Sequence, residues 1–336
     1  MAQSSPHRPL RWGIIGCGDV TEVKSGPPYQ FTEGFELTAV MRRDQEKLRD
    51  YADRHGVPKT YTDASALVND PDIDAVYIAT PPDTHREYAL LVVAAGKPCC
   101  VEKPLAPSYA ESRAIVEAFE RRGVPLFVAY YRRSLPRFEQ VLGWLAEKCI
   151  GEVRHVNWLL SNPPSAVDRS GAHNWRTDPN VAPGGYFDDL ASHGLDLFTH
   201  YFGEVAEAHG TAGNQQGLYG APDAVTACWR HVNGITGAGS WNFGSAHRTD
   251  RVEILGSRGR IRFAVFDNQP IVLETPDRQE ELFIEHPRHV QQQHVERMAR
   301  HLLTDGYTHP STGRTGAHTS WVMDRILNRT APAAGA

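Results

Sequence analysis

Four polar residues in the second half of the chain could carry acid–base chemistry. Asp189, His193, Asp196 and His200 follow one another at intervals of four, three and four residues, which places them on one face of a helix. An imidazole titrates near neutral pH, so His193 could accept a hydroxyl proton and return it, with Asp189 fixing its tautomer or sharing its charge. The pattern predicts a proton-transfer site. The same face could instead hold a divalent metal ion in a hydrolase or isomerase.

A glycine-rich turn near the start of the chain indicates a nucleotide as the second reactant. The apolar run 12–15 predicts a buried strand, and Gly16 and Gly18 follow it directly. Glycines at these positions permit a tight turn and let a pyrophosphate approach the N-terminus of the next helix. A threonine stands where the usual pattern has its third small residue, so the motif alone also fits an ordinary strand-to-helix turn.

The end of the second predicted strand, residues 37–41, bears on which dinucleotide would bind. A dinucleotide fold carries an acidic residue there for the ribose 2′-hydroxyl, or an arginine for a 2′-phosphate. This chain has Arg42 and Arg43, with Asp44 two positions late. Two guanidinium groups favour NADP, with NAD possible. In the alternative interpretation Asp44 only caps the helix 45–55 and the arginines are solvated.

Strand and helix patterns alternate through the first part of the chain. Apolar runs predict five buried strands, at residues 12–15, 37–41, 74–79, 99–103 and 126–130. The helix after the third strand is expected to begin with a capping box from Thr84 to Glu87. Alternation of this kind predicts a parallel sheet with ligands at the carboxyl ends of its strands. The residues expected at those ends are Gly16, Arg42, Thr80, Lys103 and Tyr131.

The pattern changes after residue 130. Segments at residues 153–160, 225–231, 236–242, 251–255 and 260–265 predict antiparallel strands joined by glycine-rich turns. We therefore expect a dinucleotide-binding Rossmann domain at 1–130 and an α+β domain for substrate binding and oligomerisation at 131–336. The last helix, about 311–328, is expected to pack back on the first domain.

Taken in order, six motifs make the chain similar to the Gfo/Idh/MocA family of oxidoreductases, named for glucose-fructose oxidoreductase and inositol dehydrogenase. The motifs are GIIGCG at 13–18, ATPPDTH at 79–85, Glu102-Lys103-Pro104, Trp175-Arg176 before two glycines, Asp189-x-x-x-His193-x-x-Asp196, and the segment 311–327. The resemblance implies an α/β fold: an N-terminal Rossmann parallel sheet plus a C-terminal α+β domain with a large, mostly antiparallel open sheet. It also implies a homodimer or homotetramer formed through that sheet.

The resemblance and the residue chemistry together assign roles. Lys103 corresponds to the lysine of the family's Glu-Lys-Pro motif and could stabilise a developing alkoxide, while Asp189 and His193 correspond to its acid–base pair. The residues expected to contact the cofactor are Gly16, Gly18, Asp19, Val20, Arg42, Arg43, Thr80, Pro81, His85, Glu102 and Lys103. Those expected to contact the substrate are Tyr131, Arg132, Trp175, Arg176, Asp189 and His193.

Composition restricts the partners. The net charge is −5 with a pI near 6.3 and no basic run, which argues against nucleic acid. No apolar stretch approaches the ~20 residues of a membrane span. Five cysteines without a C-x-x-C pair favour reduced thiols and a cytoplasmic location. The polar segment 1–9 is expected to be a frayed leader without a secretory signal, and the tail 331–336 to be disordered.

The favoured hypothesis is an NAD(P)-dependent oxidoreductase, NADP preferred, that moves a hydride between nicotinamide and a hydroxyl or carbonyl carbon of a sugar, sugar derivative or cyclitol. No metal is expected in it. Two alternatives stay open: the metal-dependent hydrolase or isomerase above, and a catalytically silent NADP-binding regulator. The hypothesis requires Gly18 and His193 to face one cleft.

Overall fold

The computed structural model describes residues 8–329, so most of the predicted leader and all of the predicted tail lie outside the described residues. The chain divides into two compact units. Unit 1 contains the described residues up to Ala106 together with Glu111–Tyr131 and Pro287–Arg314. Unit 2 contains Pro107–Ala110, Arg132–His286 and the described residues from Thr315 onward.

The helices and strands have the following bounds. The strands are β1 (Leu10–Ile15), β2 (Phe35–Met41), β3 (Lys59–Tyr61), β4 (Ala75–Ile78), β5 (Cys99–Val101), β6 (Leu126–Val128), β7 (Val153–Ser161), β8 (Val205–Gly213), β9 (Ala224–His231), β10 (Thr236–Asn242), β11 (Thr249–Gly256), β12 (Arg260–Phe263), β13 (Ile271–Glu274) and β14 (Gln279–Leu282). The helices are α1 (Asp19–Val23), α2 (Pro28–Phe31), α3 (Gln45–His55), α4 (Ala64–Asn69), α5 (His85–Ala94), α6 (Tyr109–Arg122), α7 (Pro136–Ala146), α8 (Ala166–Ser170), α9 (Ser192–Phe202), α10 (Gln292–Leu303) and α11 (Gly313–Ile326).

Unit 1 is built on a parallel sheet of six strands in the order β3-β2-β1-β4-β5-β6. The predicted Rossmann sheet is confirmed, but the prediction of five strands is wrong by one. The additional strand, β3, lies at the sheet edge and has only three residues, none of them buried. A strand this short and polar carries no apolar run that sequence analysis could detect.

Local signals for the helices of unit 1 were partly correct. Asp44 caps α3 by accepting hydrogen bonds from the backbone N–H groups of Glu46 and Lys47, and Gly56 ends that helix with φ +64°. The predicted capping box at Thr84 is wrong. The Thr84 hydroxyl instead donates to Thr80 Oγ1 (2.7 Å) or to the Pro81 carbonyl, because Thr84 already has helical backbone angles.

The helix α10 completes the core of unit 1, although the sequence analysis placed its residues in the second domain. Val295 and Met298 are fully buried in the same apolar cluster as Trp12 and Tyr29. A helix near residue 300 therefore forms part of the structure around the first strand. No apolar run or cap in the sequence signals this packing.

Unit 2 contains a sheet of eight strands in the order β14-β13-β12-β11-β7-β10-β9-β8. Every neighbouring pair is antiparallel except β7 and β10, so the predicted large, mostly antiparallel sheet is confirmed. The sequence analysis did not predict β8, β13 and β14. These strands are short, polar or rich in small residues, and they lie towards the two edges.

One face of this sheet packs against α9 and the other is open. Trp158 and Trp241 lie on the buried face with ring centroids 5.5 Å apart, and Phe198 of α9 packs edge-on to Trp158 at 5.9 Å. A Cβ atom at Gly194 would lie 2.3 Å from the Trp158 ring, so glycine lets the helix approach the sheet closely. This packing fixes the helix that carries His193. Within residues 8–329, no helix combines the length and apolar character needed to cross a membrane.

Candidate functional site

The glycine turn of unit 1 has the geometry that a dinucleotide requires. Gly16 has φ +92°, and a Cβ atom there would lie 2.6 Å from Thr80 Cγ2. Gly18 has an ordinary extended backbone, and the nearest neighbour to a Cβ atom there would be the Gly16 oxygen at 4.0 Å. Gly16 therefore serves the turn, whereas Gly18 leaves space beside the first turn of α1, which begins with Asp19 and Val20. The residues present fit a bound pyrophosphate.

The residues after β2 include the two arginines and the acid that bear on the choice of dinucleotide. The Arg42 guanidinium donates through Nη1 to the Cys17 carbonyl at 2.9 Å and so ties the strand end to the glycine turn. Arg43 is exposed. Asp44 accepts the backbone bonds of the α3 cap, chiefly from Lys47, and these lower the pKa of its carboxyl group. Asp44 thus caps α3, as the alternative interpretation expected.

The segment after β4 places one predicted cofactor residue in the interior. Thr80 is half-buried and Pro81 is exposed at the strand exit, but the His85 ring is fully buried. His85 Nδ1 lies 3.0 Å from the Pro104 oxygen and Nε2 lies 2.8 Å from the Thr80 oxygen. Burial lowers the pKa of His85. Because its ring has no surface to offer a ligand, we correct its role from cofactor contact to a tie between two loops.

Beyond β5, a buried carboxylate anchors the Glu-Lys-Pro motif. Glu102 Oε1 accepts hydrogen bonds from the Tyr77 hydroxyl at 2.6 Å and from Gln291 Nε2 at 2.7 Å. Its Oε2 accepts the backbone N–H of Lys103 at 3.0 Å, and the Lys103–Pro104 peptide is cis. Glu102 is 7% exposed. It therefore orients the main chain of Lys103, and its contact with the cofactor stays a prediction.

Unit 2 holds His193 against an arginine. Arg132 Nη1 lies 3.0 Å from His193 Nδ1, and both side chains are buried. Arg132 also donates through Nε to the Val265 carbonyl at 3.1 Å, and its guanidinium carbon lies 4.5 Å from the centre of the Phe266 ring. Tyr131, the residue before Arg132, is half-buried and belongs to unit 1. The structure thus joins two predicted substrate residues, Arg132 and His193, directly.

The two carboxylates near His193 each pair with a different arginine. Asp196 forms a buried two-point ion pair with Arg133, with both N–O distances 2.7 Å. Burial raises the pKa of Asp196, and the Arg133 charge opposes this shift. Asp189 accepts from Arg176 Nε at 2.9 Å. The Arg176 guanidinium in turn lies over the Trp175 ring at 4.4 Å, so this predicted pair borders Asp189.

The prediction that the four polar residues from Asp189 to His200 lie on one face of a uniform α-helix needs correction. Residues Phe187–Ala191 form a π-helical turn, and the α-helix proper begins at Ser192. A π-helical turn contains one extra residue, so Asp189 is rotated out of the register that a uniform α-helix would give. Three arginines contact side chains of this segment: Arg132, Arg133 and Arg176. In the described part of the chain, no three His, Cys, Asp or Glu side chains form a group that could hold a metal ion.

Comparison with known proteins now adds to this geometry. Residues 10–130 match the family model described as "Oxidoreductase family, NAD-binding Rossmann fold", and residues 138–262 match the "GFO/IDH/MocA C-terminal domain". The chain belongs to the Gfo/Idh/MocA family. Oxidoreductase P35 of Formosa agariphila is 37% identical over 318 residues, which cover 94% of this chain and 97% of that protein.

Two more similarities illustrate the range of Gfo/Idh/MocA relatives. The trans-1,2-dihydrobenzene-1,2-diol dehydrogenase of Bos taurus is 29% identical over 254 residues, covering 74% of this chain and 72% of that protein. A levoglucosan dehydrogenase solved with NADH and levoglucosan superposes with a TM-score of 0.82 at 21% identity, covering 95% of this chain and 96% of that one. The chain is an NAD(P)-binding oxidoreductase.

Sequence analysis missed Tyr77 and Gln291, which hold Glu102. Tyr77 lies within an apolar strand, where a tyrosine is common core material. Gln291 lies just before α10 and is 189 residues from its partner. The available signal for such partners was Glu102 itself, a glutamate at the end of a buried strand. A buried carboxylate requires hydrogen-bond donors. The sequence could not say which residues supply them.

Proposed function

We propose that this protein is an NADP-preferring oxidoreductase that transfers a hydride between nicotinamide and a ring carbon bearing a hydroxyl or carbonyl oxygen. The observation that carries the proposal is the placement of Lys103 at the carboxyl edge of the same parallel sheet whose first turn is Gly16–Gly18. Ligands of such sheets bind at that edge. The bound nicotinamide would supply or accept the hydride.

In this proposal the chain's own residues bind the substrate oxygen and manage its proton. The Lys103 ammonium would donate to that oxygen and stabilise negative charge as it develops. His193 would provide a second polar contact to the oxygen. Asp189, paired with Arg176, would orient the substrate beside the Trp175 ring. Apolar ring faces and charged donors of this kind suit a polyhydroxylated ring.

The preference for NADP rests on the residues after β2. Arg43 is exposed, Arg42 is anchored at the glycine turn, and Asp44 caps α3. Guanidinium groups bind a phosphate dianion through charge-assisted hydrogen bonds. At Asp44, Oδ1 accepts both backbone hydrogen bonds of the cap and Oδ2 lies 3.5 Å from Lys47 Nζ.

We propose a cyclic secondary alcohol with a neighbouring hydroxyl as the substrate class. A dihydrobenzenediol and an anhydrosugar, which the names of the relative and of the solved structure specify, share a ring with adjacent oxygens. Sugars, sugar derivatives and cyclitols have the same feature. Arg176 is about half exposed and could also accept a phosphorylated member of this class.

The test is a screen of NADP and NAD against sugars, inositols and cyclic diols, following the absorbance of the reduced nicotinamide. We expect turnover with at least one ring alcohol and a higher kcat/KM with NADP. His193→Ala should abolish turnover and leave NADP affinity nearly unchanged. NADP binding without any turnover would favour the silent regulator, and a stoichiometric metal required for activity would favour the metal-dependent alternative.

We also propose a homo-oligomer formed through the open face of the eight-stranded sheet. The central strands present small or neutral side chains there, among them Leu159, Thr226, Cys228 and Ser240. Thr226→Arg should dissociate the oligomer in size-exclusion chromatography with light scattering, whereas Val232→Arg, in the exposed turn after β9, should not. A wild-type monomer would contradict this proposal.

A cytoplasmic location, also proposed, is supported by five cysteines that form no disulfide.

A further inference from the structure

We propose that Arg132 is a positioning residue that holds His193 in the tautomer with hydrogen on Nε2, so that His193 donates a hydrogen bond to the substrate oxygen and does not remove its proton. This inference rests on the proposed function for its catalytic meaning. It contradicts the expectation that the imidazole accepts the hydroxyl proton.

The argument begins with the contact between Arg132 Nη1 and His193 Nδ1 at 3.0 Å. A guanidinium group has five N–H donors, no acceptor, and stays charged throughout the pH range of proteins. Arg132 must therefore donate, and Nδ1 must accept with its lone pair. A neutral imidazole has one N–H, so in this arrangement the hydrogen is on Nε2.

The contact is held from several sides. Arg132 Nε donates to the Val265 carbonyl, and the guanidinium lies on the Phe266 ring. The His193 ring meets the same phenyl ring edge-on, with centroids 5.7 Å apart. Arg132 is 7% exposed and His193 is 5% exposed, so bulk water does not compete freely for Nδ1. Arginine and imidazole are thus fixed by one aromatic residue and one backbone carbonyl.

The nearby carboxylates also form ion pairs with arginines. On the helical segment of His193, Asp196 pairs with Arg133 and Asp189 pairs with Arg176. A histidine oriented by a carboxylate carries its hydrogen on the nitrogen that faces the carboxylate, and protonation at the other nitrogen is then favoured. In this protein an arginine, and not a carboxylate, faces Nδ1 of His193. The ring hydrogen is therefore on the opposite nitrogen, Nε2.

The reversed tautomer changes what His193 can do. A base needs a lone pair at the nitrogen that meets the hydroxyl group, whereas Nε2–H offers a donor. Neutral imidazoles do act as donors to carbonyl oxygens, as the histidine of triosephosphate isomerase does. In the reduction direction, the carbonyl carbon gains the hydride, its oxygen takes the proton of the Lys103 ammonium, and Lys103 regains a proton from water.

The first experiment reads the tautomer directly in the intact protein. Two-bond ¹H–¹⁵N correlation spectra of protein with ¹⁵N-labelled histidine, at mildly alkaline pH, distinguish a protonated from an unprotonated ring nitrogen. His193→Gln assigns the signal. We expect Nε2–H with unprotonated Nδ1 in the wild type, and loss of this preference in Arg132→Met. Arg176→Met, which removes one ion-pair partner of Asp189, should leave the tautomer unchanged. A wild-type signal with hydrogen on Nδ1 would overturn the proposal.

The second experiment uses side chains that donate without exchanging a proton. The amide nitrogen of His193→Gln can occupy the place of Nε2, whereas that of His193→Asn reaches only the place of Nδ1. We expect His193→Gln to lower kcat by about tenfold, the cost of a less well placed donor, and His193→Asn to be inactive. Equal inactivity of the glutamine and alanine variants would contradict the donor role. Arg132→Lys should partly restore the kcat lost in Arg132→Met.

These measurements separate the two hypotheses. The tautomer can be read in a protein that turns over no tested substrate, so failure of the substrate screen leaves the spectra informative. Conversely, an active enzyme with hydrogen on Nδ1 of His193 would keep the proposed function and remove the role assigned to Arg132.

Discussion

Gln291 donates a 2.7 Å hydrogen bond through Nε2 to Oε1 of Glu102. The bond joins the residue before α10 to the end of β5, and both side chains are buried. Because Glu102 Oε2 accepts the backbone N–H of Lys103, the glutamine acts on Lys103 through the carboxylate.

Replacing Gln291 should therefore affect the proposed chemistry more than cofactor binding. We expect Gln291→Met to lower the free energy of unfolding by about 2 kcal/mol, since a buried carboxylate loses a donor. It should lower kcat by about tenfold through misplacement of Lys103, with little change in KM for NADP. Urea denaturation and steady-state kinetics measure both effects.

The matched control is Gln292→Met, which removes a half-buried amide that donates to Thr32 and to Glu296. It should be nearly neutral. A Gln291→Met variant with normal kcat and reduced stability would assign this glutamine to folding alone.

The Gln291–Glu102 bond also marks the limit of prediction from sequence. The first sheet, α3 with its Asp44 cap and the mostly antiparallel second sheet followed from local patterns, because apolar periodicity and capping are encoded within a few residues. The site depends on tertiary contacts that local patterns do not encode. A 3.6-residue period could not reveal the π-helical turn at Asp189, nor that the partner of His193 Nδ1 is Arg132.

The dinucleotide preference can be tested at Arg43, which is exposed and therefore removable without loss of packing. Arg43→Ala should raise KM for NADP by about tenfold, the cost of one charge-assisted hydrogen bond, and leave KM for NAD unchanged. Arg42→Ala should impair both cofactors, since Arg42 also binds the Cys17 carbonyl of the glycine turn. An equal effect of Arg43→Ala on NADP and NAD would refute a 2′-phosphate contact.

Stability should fall at acid pH partly because of His309. Burial lowers the pKa of this histidine from 6.5 to about 4 in the folded protein. Between these values the unfolded chain binds more protons than the folded one, so stability is retained above pH 6.5 and is lost as the pH falls towards 4. The loss from this group should reach about 2 to 3 kcal/mol.

The variant His309→Gln isolates this contribution. It loses native contacts of the ring with Ser311 and with the His294 carbonyl, so it should be less stable than the wild type near neutral pH. Its deficit should shrink as the pH falls, because the wild type alone carries the protonation penalty. A deficit independent of pH, in denaturation measured across this range, would show that His309 titrates alike in both states.

The two glycines of the nucleotide turn should respond differently to the same substitution. Gly16→Ala places a Cβ atom at φ +92° and 2.6 Å from Thr80 Cγ2, and we expect it to lower the free energy of unfolding by about 2 kcal/mol. Gly18→Ala meets no protein atom closer than 4.0 Å at its Cβ. It should keep wild-type stability and lose at least about tenfold in NADP affinity, because the methyl group would occupy space needed by the pyrophosphate. Calorimetric titration with NADP, alongside thermal unfolding, measures both quantities. A Gly18→Ala variant that binds NADP as tightly as the wild type would mean that the dinucleotide does not approach this part of the turn. The proposal that the Gly16–Gly18 turn binds the pyrophosphate would then be wrong.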